Sequence, residues 1–257
     1  MPQRFPSNWR VQMGQPEIRF DTYTLYARLL PSIISAVPLF ALWYYLAKPS
    51  AIGNFVMYLL SLRFLGAITL SVAFLYLFAN LIRYTSKYFE KRVFLSQQGF
   101  PTTYLLLYAN SSFSSQYKRL FREAVSTRFR IRLLTEIEET KDPAEAARVL
   151  SDAMRQVLNE VRGAPLIEKL NVGYGFGRNL VGGSFFGLLF SVLNVVLSII
   201  VIHSRPLLIV SCALGAFYLT ILLFHRVILR QNGEAFARAV ISEYVGRHTT
   251  PTQNSIA

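Results

Sequence analysis

The chain has one cysteine, Cys212, and three histidines, His203, His225 and His248, in 257 residues. A single thiol excludes an internal disulfide and a cysteine cage for zinc, and the histidines are too scattered to give ligand spacing. Cys212 lies inside an apolar run, where a thiol reads as buried and inert. Acidic residues are scarce as well: 14 Asp and Glu stand against 27 Lys and Arg, a formal charge of +13. Charge is missing altogether from the four longest apolar runs, at residues 29–47, 64–82, 181–202 and 206–224. An ion-coupled transporter normally keeps an ionisable or unwound site at the membrane midplane, so that class is disfavoured.

What is present is apolar surface: 53% of residues are hydrophobic and 14% aromatic. A membrane-spanning helix needs about 20 mainly apolar residues, and each of the four runs has that length. Arg28, Lys48, Arg63, Arg83, Arg178, Arg205 and Arg226 frame them, as cations do at headgroup level. Residues 54–62 are apolar too. Starting the second span there would bury Arg63 at a cost of at least about 2.5–3.5 kcal/mol, so they read as an interfacial element.

Orientation follows from the distribution of cations. Of the 27 Lys and Arg, 24 fall in the stretch up to Arg28, in residues 83–178 and in the tail from Arg226. Positively charged loops stay in the cytoplasm, which puts both termini and the central segment on that side. Trp43, Tyr44 and Tyr45 then mark the outer interface, and Tyr26, Tyr84 and Tyr88 the inner one. No cleavable signal is expected, because a mostly polar stretch precedes the first apolar run. The expected architecture is a mostly α membrane protein of four transmembrane helices. They form two hairpins, 29–82 and 181–225, with a small α(+β) cytoplasmic domain at 83–180. An N-terminal segment (1–28) and a C-terminal tail (226–257) flank them.

Within the central segment, Asp142-Pro-Ala-Glu145 is a strong helix start. Ala146, Val149, Leu150, Ala153, Val157 and Val161 give that helix one apolar face, and Gly163 and Pro165 end it. Residues 114–127 predict a shorter helix. Arg128-Phe-Arg-Ile-Arg-Leu133 alternates with period two and predicts a strand, while Gly99-Phe-Pro-Thr-Thr103 is a turn signal.

No catalytic constellation emerges. The central segment's ten acidic residues are interspersed with its cations and no histidine accompanies them, so an enzyme, a metal and a cofactor are not expected. Three features carry functional readings. Gly173, Gly175 and Gly177 lack the ending of a phosphate-binding loop, and read as a flexible hinge ahead of the third span. Gly183, Gly187, Ser191, Asn194 and Ser198 share one face of that span; the face either packs helices or lines a pore between protomers. Lys118, Arg119, Arg122, Arg128, Arg130 and Arg132 form a basic cluster suited to anionic lipid, with nucleic acid or a nucleotide messenger a minority option.

The stretches Arg19-Phe-Asp-Thr-Tyr-Thr-Leu-Tyr-Ala-Arg-Leu-Leu-Pro31, Gly99-Phe-Pro-Thr-Thr103 and Gly173-Tyr-Gly-Phe-Gly-Arg-Asn-Leu180 resemble blocks of an uncharacterised family of bacterial four-transmembrane-helix inner-membrane proteins. The resemblance implies a bacterial inner membrane and this topology, but no activity. A broader analogy is with small membrane subunits of bacterial antiviral systems. Two functional expectations follow. One is a homo-oligomeric, channel-like membrane effector controlled by its cytoplasmic domain, in stress or antiviral defence. The other is a membrane anchor or scaffold that recruits a soluble cytoplasmic partner.

Overall fold

The computed structural model describes residues 23–46, 62–95 and 99–249, and every regular element among them is helical. A π-helical turn, Thr24–Leu29, leads into α1 (Leu30–Leu46). Then come α2 (Leu62–Leu95), the short α3 (Pro101–Tyr104), α4 (Ser115–Phe129), α5 (Glu136–Lys141) and α6 (Pro143–Val161). Next is α7 (Pro165–Leu197), extended by π-helical Ser198–Ile202. α8 (Arg205–Leu223) and α9 (His225–Thr249) complete the described residues. The interfacial turn or short helix expected at residues 54–62, and the segments 1–22 and 250–257, lie outside the described residues, apart from Leu62.

Among the described residues, three helical stretches are long and apolar enough to cross a membrane: Thr24–Tyr45, Pro165–Ile202 and Arg205–Leu223. The run at 64–82 forms the N-terminal half of α2, where the side chains of residues 62–70 are not described. Phe40, Trp43, Ile200, Ile209 and Leu223 point outward from these helices. An apolar exterior of that extent suits lipid rather than water. Cys212 joins it: the thiol expected to be buried is exposed on α8.

Local signals place the shorter helices. The Ser114 hydroxyl accepts from Tyr117 N at 3.2 Å and starts α4, and Asp142 accepts from Glu145 N at 3.0 Å and starts α6. Between them a capping box, Thr135 with Glu138, opens α5. At the other end of α6, Gly163 turns with φ +92° and Pro165 begins α7. His203, at φ +53°, makes the tight turn into α8.

The expected strand at 128–133 is not formed, so the α(+β) domain is corrected to an all-helical one. Helix α4 runs through Phe129 and ends at Arg130, in the left-handed region at φ +58°. No strand occurs among the described residues. Alternation predicts a strand only where a second strand can pair with it. Here Phe129, Ile131 and Leu133 pack on the helical core instead.

That core gathers Leu105, Leu106, Phe121, Leu150, Met154 and Val157 from the central segment, with Val240, Ile241 and Tyr244 from α9. The chain after the last apolar run thus shares one hydrophobic core with the central segment. Two smaller clusters continue along α7: Val93, Phe94, Val181 and Leu229, then Ala36, Phe78 and Ile82 against Phe186 and Phe190. At about 1.5 Å per residue, the 38 residues Pro165–Ile202 extend about 57 Å, far beyond a hydrocarbon core of about 30 Å. Helix α7 is therefore one axis common to the apolar helices and the bundle.

Candidate functional site: the polar seam of the central helix

The small-residue face of α7 meets three different helices. A Cβ at Gly182 would stand 2.6 Å from Ser86 N and 2.8 Å from Ser86 Cα on α2. One at Gly183 would reach within 3.1 Å of Ser35 Cβ on α1, and one at Gly187 within 2.7 Å of the Tyr218 ring on α8. Only glycine allows these approaches. Ser191 and Ser198 are buried, and their hydroxyls donate to Gly187 O and Asn194 O, four residues back, at 2.7 and 2.6 Å. Of the two readings of Gly183, Gly187, Ser191, Asn194 and Ser198, the packing one accounts for the observed contacts. The face is closed within a single protomer.

The polar groups along this seam serve a backbone need set by two prolines. Pro31 and Pro38 are buried in the first apolar helix, and neither has an N–H to give the carbonyl four residues back. Those carbonyls belong to Ala27 and Ile34. Asn179 Nδ2 of α7 donates to Ala27 O at 2.6 Å, and Tyr218 Oη of α8 donates to Ile34 O at 2.5 Å. Asn194 Nδ2 adds a third donor, to Pro38 O at 2.7 Å. In a medium without water, backbone groups freed by proline must be satisfied by neighbouring helices, and Asn179 and Tyr218 do so. Pro31, Pro38 and Asn194 stand out in the sequence, whereas the roles of Asn179 and Tyr218 do not. Nothing local to either residue names a proline about 150–180 positions away.

The stretch Gly173, Gly175 and Gly177, expected as a hinge, is a continuous part of helix α7. Gly175 lies against Ala27 and Tyr23, where an added Cβ would stand 2.9 and 3.0 Å from Ala27 Cβ and Tyr23 Oη. Gly177 is as close to Asn232 Nδ2 of α9, at 2.9 Å, while Gly173 faces open space. Tertiary contact holds the helix through a run whose propensity is poor.

At the same level a buried polar node ties α2 to α7. The Tyr174 hydroxyl donates to Glu90 Oε1, and Arg178 Nη1 lies 3.4 Å from the same oxygen. The Arg178 guanidinium sits 5.6 Å from the Tyr174 ring centroid, and Tyr174 stacks on Phe236 of α9. With both charges largely buried, removing one partner would cost about 3–5 kcal/mol.

The basic cluster does not form one face. Lys118 is buried, and its ammonium donates to Leu107 O at 2.5 Å and to Asn110 O. Burial pushes its pKa below the ordinary lysine value, and the neighbouring Arg122 charge adds to this. Arg122 donates to Leu106 O at 2.9 Å and pairs with Glu139 at 3.1 Å, its guanidinium 4.0 Å over the Tyr108 ring. Glu139 in turn accepts from Tyr108 N and Ala109 N. Both cations hold the irregular chain after α3. Arg119, Arg128 and Arg132 are paired on the surface with Glu123, Glu160 and Glu138, and Arg130 caps α4. The expected lipid- or ligand-facing cluster is thus dispersed, because inward-turned and outward-turned cations look alike in sequence.

No group of three or more His, Cys, Asp or Glu side chains able to hold a metal ion occurs among the described residues. The chain matches no protein-family model, no curated protein and no solved structure.

Proposed function

We propose that the chain is a four-span membrane anchor of a bacterial inner membrane that presents a rigid helical bundle on the cytoplasmic side for a soluble partner. The carrying observation is the continuity of α7, one unbroken helix from the bundle core at Ile167 to the apolar end at Ile202. α9 follows the last apolar helix after a single residue and enters the same bundle. A bundle locked to its spans in this way is held at a fixed height and orientation, which suits docking. The cation distribution supports the placement of both termini and the bundle in the cytoplasm. Residues 64–82 supply the fourth span in this reading.

A channel-like effector requires a hinge next to a free polar face. Gly175 and Gly177 are packed, and the face is filled by α1 and α8, so the anchor reading has the stronger support. The test is native mass spectrometry of the tagged full chain, extracted from host membranes in mild detergent. A soluble companion at fixed stoichiometry is expected. A symmetric homo-oligomer without a companion, conducting ions in a planar bilayer, would overturn the anchor in favour of the effector.

A further inference from the structure

A cavity of about 370 Å³ opens at the end of α2 beyond its apolar half, lined by Lys87, Glu90, Lys91, Phe94, Gly99 and Phe100. That volume falls within the range of small-molecule sites. Its first four residues share one face of α2, at spacings of three, one and three. Lys87 and Lys91 are exposed and make no ion pair among the described residues. Glu90 is the one acidic group on this wall, and its carboxylate already serves Tyr174 and Arg178. The field inside the cavity is therefore set by the two ammonium groups. Phe94 forms a buried floor, and Phe100 stands half-exposed at the rim beside Gly99, whose φ of +127° turns the chain away.

We propose that this cavity binds the phosphate of an anionic phospholipid headgroup between Lys87 and Lys91, the acyl chains running back along α2 toward Arg83. The proposal rests on the membrane placement argued above. If Arg83 marks the inner hydrocarbon boundary, Lys87 lies about 6 Å and Lys91 about 12 Å beyond it along the helix. The headgroup layer is about 5–8 Å deep per leaflet, so Lys87 sits within it and Lys91 can reach back with its stem. Arg83 heads the same row at i, i+4 and i+8, and its buried Nε has no hydrogen-bond partner among the described residues. Tyr84 and Tyr88, both well exposed, flank the row at the depth where aromatic rings anchor helices. The lipid-facing cations thus lie on α2, and not on the central segment's 118–132 stretch.

The experiment uses the full chain in nanodiscs of phosphatidylcholine alone or mixed with phosphatidylglycerol. Lipids retained after extraction into neutral detergent are counted by native mass spectrometry. Wild type is expected to retain phosphatidylglycerol selectively. The double variant Lys87→Gln, Lys91→Gln should lose about thirtyfold of that preference, roughly fivefold per cation near a membrane surface. Lys87→Arg, Lys91→Arg should keep it, and Arg119→Gln, Arg132→Gln should leave it unchanged. Equal retention by the Gln variant, or equal loss in the surface control, would overturn the site. Displacement of the lipid by inorganic phosphate would overturn the lipid assignment in favour of free phosphate. A chain that does not enter either disc would overturn the membrane reading itself, a failure distinct from entry without selectivity.

Discussion

Replacing Tyr218 by Phe removes one oxygen, the hydroxyl that donates to Ile34 O at 2.5 Å. The ring stays, and with it the contact against Gly187, so the change isolates a single hydrogen bond. Interhelical hydrogen bonds in membrane proteins average about 0.6 kcal/mol and reach about 1.7, because the reference state finds other partners. Ile34 O is at the upper end for a specific reason: Pro38 denies it the backbone N–H that an ordinary residue would offer. Tyr218→Phe should therefore cost about 1.5 kcal/mol, roughly a tenfold change in the folding equilibrium.

The reasoning makes a sharper demand on the second background. Pro38→Ala restores an N–H four residues beyond Ile34, and that N–H can take over the carbonyl. In Pro38→Ala protein the cost of Tyr218→Phe should fall below about 0.5 kcal/mol, leaving a coupling of about 1 kcal/mol between residues on different helices. The assay is equilibrium unfolding in mixed detergent micelles, with all four proteins of the cycle measured together. The same cost in both backgrounds would refute the account, since the hydroxyl would then be serving something other than the proline-freed carbonyl.

Other outcomes test the remaining parts of the structure. Gly182→Ala should destabilise by about 1–3 kcal/mol, because its Cβ meets Ser86 backbone at 2.6–2.8 Å. Gly173→Ala, in open space, should gain up to about 1 kcal/mol of helix propensity; opposite signs for the two in thermal unfolding would show that close packing, and not propensity, requires glycine at 182. Lys118→Met strands the Leu107 and Asn110 carbonyls and should cost about 2–4 kcal/mol without altering lipid retention, read by thermal unfolding and bound-lipid counts. Tyr244, pushed up from 10.0 to about 12 by burial and then by Glu160, sets the alkaline limit together with Tyr104, also raised by burial and by Glu234. With folded pKa values above unfolded ones, the unfolded chain gives up its protons first. The stabilisation is full below pH 10 and lost as pH rises through about 12, followed by tyrosinate absorbance and circular dichroism. Tyr244→Phe should flatten part of that fall at little cost near neutrality, because its buried hydroxyl has no hydrogen-bond partner among the described residues.

The parts of this fold legible in sequence are those governed by neighbours in the chain. Asp142 with Pro143 and Glu145 starts α6, Gly163 and Pro165 separate it from α7, and Ser114 starts α4. All of these act within three or four residues. The apolar runs are legible for the same reason, since a bilayer reads length and composition locally. What fails is whatever needs a partner from elsewhere. Arg128 to Leu133 alternates like a strand, but a strand is a property of two segments, and its apolar residues found a helical core instead. The glycines at 173–177 read as freedom because their contacts, Tyr23, Ala27 and Asn232, come from distant segments.

The candidate site divides along the same line. Gly183, Gly187, Ser191, Asn194 and Ser198 fall on one face by helical spacing alone, and that much was readable. Whether the face is a seam or a pore wall depends on what sits across from it, and the answer is written in two prolines of another helix. Pro31 and Pro38 would be expensive in a lone apolar helix, each freeing a carbonyl with no water to take it. Their presence therefore requires donors at matching heights on other helices. Asn179 and Tyr218 stand at those heights, 152 and 184 positions from Ala27 and Ile34, and Asn194 adds a bond to the carbonyl of Pro38 itself, 156 positions away. A pore wall would leave such side chains free for water or ions. Here their donors are committed to backbone, which makes the seam a lock between α1, α7 and α8.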